Sequence, residues 1–181
     1  MRIIAGSAKG LRLAAVPEGT RPVSDRAREG LFSSLGADVV DARVLDLFAG
    51  TGALGIEALS RGAEHATFVD RNRQATRAIR SNLEKARMTD RAAVVEGDAR
   101  AFLERQTGPI ADIAFLDPPY DAPAQQIEQV LDLLGENRLS PAWTVVLTRP
   151  ARSSNLVIPV HFGLARRLRY GDSLVLVYRE V

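Results

Sequence analysis

No cysteine occurs anywhere in the 181 residues. Disulfides, thiolate metal sites and a thiol nucleophile are thereby excluded. Histidine appears only as His65 and His161, and neither has a partner at ligand spacing, so no metal is expected. Lysine is nearly missing too: only Lys9 and Lys85 occur, and arginine fills almost every other cationic position. The one tryptophan, Trp143, stands just ahead of an apolar run and reads as packing. No apolar run approaches the roughly 20 residues that span a membrane. The first residues also lack a signal-peptide core. The expectation is therefore a cytoplasmic protein without membrane attachment.

What is present suits an ordinary folded domain. An apolar share of 46% and a charged share of 25% match soluble globular chains, and the length suits one core better than two. The net charge of +2 argues nothing, but its distribution does. Residues 1–30 carry six basic and three acidic side chains, residues 149–181 six and two, and the middle twelve and seventeen. Basic ends around an acidic centre fit termini that meet an anionic polymer; a general bias toward arginine fits equally well.

Residues 1–16 alternate weakly around Ser7-Ala8-Lys9-Gly10, which reads as a small hairpin. Pro17-Glu18-Gly19 and Arg21-Pro22 follow as a stiff loop. Ser24 can cap a helix whose Ala27, Leu31, Phe32 and Leu35 share one face, with Gly36 to end it. Gly30 inside that helix costs about 1 kcal/mol relative to alanine. From Arg43 onward, apolar strands at 44–48, 66–69, 92–95, 110–116 and 144–147 alternate with helical stretches at 53–61, 73–87, 99–105 and 124–134. Repeated strand–helix units with near-continuous apolar strands predict an α/β fold, a mostly parallel sheet covered by helices on both faces. Residues 150–163 are irregular. Runs at 164–170 and 173–178, joined by Gly171-Asp172, predict a C-terminal antiparallel hairpin.

Gly50-Thr51-Gly52-Ala53-Leu54-Gly55 follows the first strand and opens a helix, and Asp70 closes the next strand. Alone, that pattern fits a dinucleotide site. Asp46 argues otherwise. A carboxylate at the strand end repels a pyrophosphate and attracts an ammonium or sulfonium. The pocket therefore suits S-adenosylmethionine better than NAD. In that reading Asp46 meets the methionine amino group, directly or through water. Gly50 and Gly52 let the backbone pass close to the ligand. Asp70 accepts from the ribose hydroxyls, and Asp98 accepts from the adenine amino group, caps a helix at Ala99, or does both. Phe48, Ala49, Arg71 and Ala99 flank these positions and, with Asp117 downstream, complete the candidate cofactor-binding set.

Asp117-Pro118-Pro119-Tyr120 ends the fourth strand. First and fourth strands of a doubly wound sheet flank the point where strand order reverses, where ligands bind. Two prolines remove two N–H donors. The Asp117 carboxylate and the Pro118 carbonyl remain as paired acceptors for an exocyclic amino group, with Tyr120 as a stacking face. Gripping both protons of such a nitrogen favours a pyramidal geometry with the lone pair aimed at a methyl donor. An ordinary rigid turn is the plainer reading of the same four residues. Arg21, Asp25, Arg26 and Arg28 form either a flexible arm over the site or a solvated helix start. Arg2, Lys9 and Arg12 on the hairpin can meet phosphates.

The chain resembles the bacterial 16S ribosomal RNA guanine-N2 methyltransferase D family over nearly its whole length. The resemblance rests on Met1-Arg2-Ile3-Ile4-Ala5-Gly6 with Lys9-Gly10, on the 21–29 segment Arg21-Pro22-Val23-Ser24-Asp25-Arg26-Ala27-Arg28-Glu29, on the 46–62 glycine-turn segment, on Asp117-Pro118-Pro119-Tyr120 and on Tyr170-Gly171-Asp172-Ser173. It implies a class I methyltransferase sheet over 21–181, a hairpin extension over 1–20, and S-adenosylmethionine as methyl donor. It implies transfer to the 2-amino group of a guanine-966-type site in 16S RNA within an assembling small subunit, by a monomer whose Arg2, Lys9, Arg12, Arg21, Arg26, Arg28 and Tyr120 meet the RNA. Three departures stand out: Ser24 where threonine is usual, Gly30 where a better helix former is usual, which implies a looser arm, and Leu147-Thr148-Arg149 without the usual glutamate. Methylation of an adenine amino group in DNA is the runner-up, but no target-recognition domain is evident. A glutamine methyltransferase would carry asparagine at position 117. A catalytically silent RNA-binding assembly factor would not need Asp46, Asp117 and Tyr120 together, and an NAD-dependent oxidoreductase would not place Asp46 at its pyrophosphate.

Overall fold

The computed structural model describes residues 1–14 and 23–181. The loop expected at 17–22, with Arg21, lies outside them. Five helices and seven strands follow in the order α1 (Asp25–Leu35), β1 (Arg43–Leu47), α2 (Ala53–Ser60), β2 (His65–Asp70), α3 (Arg73–Ala86), β3 (Ala92–Glu96), α4 (Ala99–Glu104), β4 (Ala111–Leu116), α5 (Ala124–Gly135), β5 (Leu139–Pro150), β6 (Phe162–Tyr170) and β7 (Ser173–Glu180), with short 3-10 turns at Gly36–Val39 and Thr89–Arg91. The strands form one sheet in the order β3-β2-β1-β4-β5-β7-β6. β1 runs parallel to both β2 and β4, and β7 runs antiparallel to β5 and β6.

Alternation along the strands divides the core in two. Val44, Phe68, Phe115 and Val146 face Leu31 and Phe32 of α1, Ile56 of α2 and Ile79 of α3. Their neighbours Leu45, Val69, Leu116 and Leu147 face Leu103 of α4 and Ile127 and Val130 of α5. A strand buried on both faces must be apolar at every position, which is why these runs read as continuous rather than alternating. No helix of the described residues is long and apolar enough to cross a membrane.

Ser24 caps α1, its hydroxyl accepting from the Ala27 N–H at 3.2 Å. Gly36 follows α1 with φ +55° and donates its N–H to the Phe32 carbonyl. Gly30 has a use that the helix alone does not reveal. A Cβ there would lie 1.7 Å from the Tyr170 hydroxyl, so the small residue seats β6 against α1. Gly30 thus marks a close approach of two elements.

β5 is longer than its apolar run. The strand passes through Pro141 with a bulge marked by Ala142 at φ +60° and a register shift opposite Ala111 and Ile113. Residues 151–161 form neither helix nor strand. The Arg149 guanidinium and the Glu128 carboxylate hold this stretch, bonding the Ser154 carbonyl at 2.7 Å and the Val157 N–H at 2.8 Å. Trp143 packs on Phe162 with ring centroids 4.3 Å apart.

The N-terminal hairpin has one ladder bridge, Arg2 to Arg12. It is held instead by α2. The Glu57 carboxylate accepts from the Ile4 and Ala5 N–H groups at 2.8 and 3.1 Å, and the Ser60 hydroxyl donates to the Ala5 carbonyl at 2.6 Å while accepting from the Ala8 N–H.

Candidate active site

β1 ends at Leu47, and the chain then turns through Phe48, Gly50 and Gly52 with φ of +62°, +56° and +75°. Left-handed backbone is strained for phenylalanine and free for glycine. The turn aims backbone into a cavity of about 390 Å³ at the carboxyl ends of β1, β2 and β4. A Cβ at Gly50 would meet nothing within 4 Å, whereas one at Gly52 would press on Ile79 and Phe68 at 3.2 Å. Gly50 thus stands in the wall. Gly52, expected to let backbone pass a ligand, is instead part of the packing beneath and caps α2. Gly55 brings α2 so close to β2 that a Cβ would lie 2.3 Å from the Phe68 ring. That approach lets the Gly55 N–H donate to the Asp46 carboxylate at 2.9 Å.

The wall contains four carboxylates: Asp46, Asp70, Asp98 and Asp117. Burial pushes Asp46 well above the usual carboxylate range. The Gly55 N–H offsets part of this, and the nearby charges of Asp117 and Asp70 add to it. Burial also pushes Asp117 up to about 7. Burial without a counter-charge causes both shifts, and a positive charge in the cavity would stabilise the ionised forms and lower them. Asp70 bridges two segments, accepting from the Gly50 and Asn72 N–H groups, each at 2.8 Å. Asp98 caps α4, accepting from the Ala101 N–H at 3.1 Å, and still faces the cavity. The cap therefore leaves room for a ligand on the same carboxylate.

β4 delivers the other side of the cavity. It pairs in parallel with β1, so Asp117, Pro118, Pro119 and Tyr120 emerge beside the glycine turn and line the same space. Tyr120 is 41% exposed, leaving a ring face open, and its hydroxyl lies 2.9 Å from the Ser173 hydroxyl. Ser173 opens β7, so the C-terminal hairpin braces the tip. Nothing local in the sequence signals that pairing, which spans 53 positions. Val23 and Asn72 also line the cavity without having been singled out. Asn72 carried a readable signal as the cap of α3, where it accepts from the Gln74 N–H at 2.8 Å.

Phe48, Ala49, Arg71 and Ala99 line the cavity with the four acids. Arg2, Lys9, Arg12 and Arg26 stand outside it, all four exposed on the surface. Arg28 differs from every one of them. Its side chain is completely buried, so it offers no exposed cation to a phosphate and is not part of an RNA-facing surface. It bonds the Arg2 carbonyl and the Asp25 carboxylate, each at 2.7 Å, and reaches the cavity wall. The reading of α1's start as a solvated helix end is corrected at this residue. A further basic patch emerges where none was placed by residue: Arg166, Arg167 and Arg169 lie on the edge strand β6, all three exposed. Arg169 and Arg26 line one shallow depression with Ser24, Tyr170 and Gly171. The only sequence signal for it was the basic count of the C-terminal end.

The family model described as Conserved hypothetical protein 95 matches residues 1–179. Ribosomal RNA small subunit methyltransferase D of Escherichia coli strain K12 is 35% identical over 183 residues, covering 99% of this chain and 90% of that protein. The chain belongs to the ribosomal RNA small subunit methyltransferase D family. A solved structure from Escherichia coli, also 35% identical, superposes with a TM-score of 0.88 and covers 99% of this chain and 97% of its own. An RNA methyltransferase from Salinibacter ruber, solved with S-adenosylhomocysteine, is 17% identical with a TM-score of 0.68 over 88% of this chain and 94% of its own, and shares the fold. The class I methyltransferase architecture expected for the family is therefore the one present.

Proposed function

We propose that this chain is an S-adenosylmethionine-dependent ribosomal RNA methyltransferase that modifies the 2-amino group of a guanine in 16S RNA of an assembling small subunit. One observation carries the reading: the acidic niche at Asp46 and the paired acceptors at Asp117 and Pro118 line a single cavity. S-adenosylmethionine, when bound, supplies an electrophilic methyl group on a sulfonium. Asp46 suits its ammonium, and Asp70 and Asp98 suit its ribose and adenine. The family relatives named for ribosomal RNA support the substrate class.

The tip's chemistry follows from its acceptors. The Asp117 carboxylate and the Pro118 carbonyl each take one N–H of the exocyclic amine, and Tyr120 stacks against the base. Held this way, the nitrogen directs its lone pair at the methyl carbon. The donor would give up its methyl group to that nitrogen, with the C–S bond pair remaining on sulfur. The methylated nitrogen then loses a proton, which Asp117, with an affinity near neutrality, can accept. Positioning and field supply the acceleration, and no covalent enzyme intermediate is required. Arg2, Lys9, Arg12 and Arg26 serve as phosphate-binding groups.

The test uses small subunits from a strain lacking this chain, labelled methyl donor and nucleoside analysis of the RNA. The expected product is N2-methylguanosine. N6-methyladenosine would refute the base assignment, and no label in RNA would refute the activity. In a parallel thermal-shift measurement S-adenosylhomocysteine should raise the melting temperature and NAD should not.

A further inference from the structure

The acid-walled cavity has a recess of opposite sign beside it. Ser24, Arg26, Arg169, Tyr170 and Gly171 line this depression, with two cations and no acid among the described residues. α1 supplies Arg26 and β6 supplies Arg169. Both are exposed, and neither takes part in an ion pair among the described residues. Two like charges on one recess repel each other, and an anion between them relieves the repulsion. Asp172, the acid of the neighbouring turn, does not line the depression.

Packing fixes where the depression lies. The Tyr170 hydroxyl sits so close to Gly30 of α1 that a Cβ there would be 1.7 Å away, so α1 and β6 meet with little tolerance. The Arg169 Nε donates to the Gly171 carbonyl at 3.3 Å, which holds that guanidinium at the turn. The Ser24 hydroxyl accepts from the Ala27 N–H and can still donate its own proton. Val23 lines the main cavity and Ser24 the depression, so the two adjoin at this peptide. They adjoin again at the β6–β7 turn. Tyr170 pairs across it with Ser173, whose hydroxyl lies 2.9 Å from that of Tyr120. Paired strand residues are about 4.5–5.5 Å apart. The depression is therefore near enough to hold the backbone of a nucleotide whose base stacks on Tyr120, or of its neighbour.

We propose that this depression binds one backbone phosphate of the RNA, beside the nucleotide that enters the cavity. The inference rests on the function proposed above and deepens it. A phosphodiester has two unesterified oxygens, enough to accept from both guanidiniums and from the Ser24 hydroxyl. The contact reads no base; it sets where the strand leaves the site. The Tyr170-Gly171-Asp172-Ser173 turn then acts as a spacer, seating a phosphate at one end and steadying the stacking ring at the other.

The experiment follows single-turnover methyl transfer to small subunits from a strain lacking this chain, over a range of subunit and salt concentrations. It compares the unaltered protein with the double variant Arg26→Gln, Arg169→Gln. The variant should need roughly 10- to 100-fold more subunits for half-maximal rate. Its log–log salt slope should fall by roughly 0.7–0.9, the loss of one phosphate contact. Its affinity for S-adenosylhomocysteine should stay within about twofold in calorimetry. An equal loss of that affinity would mean a structural role only and would overturn the proposal. An unchanged salt slope, with transfer by the unaltered protein intact, would overturn the subsite and leave the function standing. No transfer by the unaltered protein would overturn the function beneath it. A second measurement leaves both arginines in place. The chain has no cysteine, so Asp172→Cys offers a single attachment point for an iron chelate that cuts nearby RNA. Cuts should fall in the nucleotides flanking the methylated guanine; cuts confined to other segments would overturn the placement.

Discussion

Asp117 is asked to be an acceptor in a place that disfavours its charge. Burial holds its pKa near 7 against 3.8 for a free carboxyl, and Asp46 is raised by the same cause. Because the folded pKa exceeds the unfolded one, the linkage has a definite sign. Below about pH 4 both states hold the proton and the site costs no ionisation. As pH rises from there to about 7 the unfolded chain ionises first, so the ligand-free protein loses stability across that window and changes little above it. Asp117→Asn should remove this part of the slope in urea unfolding series. The ligands should respond in the opposite direction. S-adenosylmethionine carries a sulfonium, which the proposed site sets beside Asp117, and S-adenosylhomocysteine carries none. The affinity of the first relative to the second should rise as pH increases through about 7 and then level off, as measured by calorimetry. A ratio independent of pH would remove Asp117 from the sulfonium's surroundings.

The glycine turn shows how one element places another's chemistry. Gly55 lets α2 approach β2, and the same approach delivers an N–H to Asp46. Gly55→Ala should cost about 1–3 kcal/mol from overpacking against Phe68, read as a lower melting temperature, and should weaken cofactor binding as well. Elements of this kind were readable where local chemistry and global packing agree. The strand–helix alternation, the cap at Ser24, the turn at Gly50 and the acidic tip all repeat a pattern within a dozen residues. What escaped depends on partners distant in sequence. Gly30 looks like a helix defect until Tyr170 is seen above it. Gly52 looks like a ligand neighbour until Ile79 and Phe68 are seen beneath it. Arg28 looks like one more surface cation until Arg2, Asp25 and Glu57 close around it. β5 outran its expected range because a bulge accommodates Pro141, and single-strand reading cannot foresee a bulge set by its neighbour.

Among the exposed cations, one group stands on the N-terminal hairpin and another on the edge strand β6, with Arg26 beside Arg169; a third lies along α3 at Arg73, Arg77, Arg80 and Lys85. The hairpin is fastened to α2, and the β6–β7 turn braces Tyr120 through Ser173. RNA docked on both surfaces would therefore be positioned by elements that also shape the cavity. Reversing Arg166, Arg167 and Arg169 to glutamate should weaken RNA binding and reduce its log–log salt slope by roughly 0.7–0.9 for each phosphate no longer neutralised. The same reversal of Arg2, Lys9 and Arg12 should act alike. An unchanged slope in either triple variant would exclude that surface from docking. The account turns on the cation niche and the nitrogen-gripping tip serving one reaction. Asp117→Ala separates them most directly, in a single-turnover methyl-transfer assay run beside S-adenosylhomocysteine titration. Transfer should fall at least roughly 10²–10³-fold, the scale of removing one charge-stabilising group, while affinity for S-adenosylhomocysteine, whose sulfur is uncharged, stays within about twofold. Undiminished transfer by the variant would contradict the role given to this carboxylate and, with it, the chemistry assigned to the cavity.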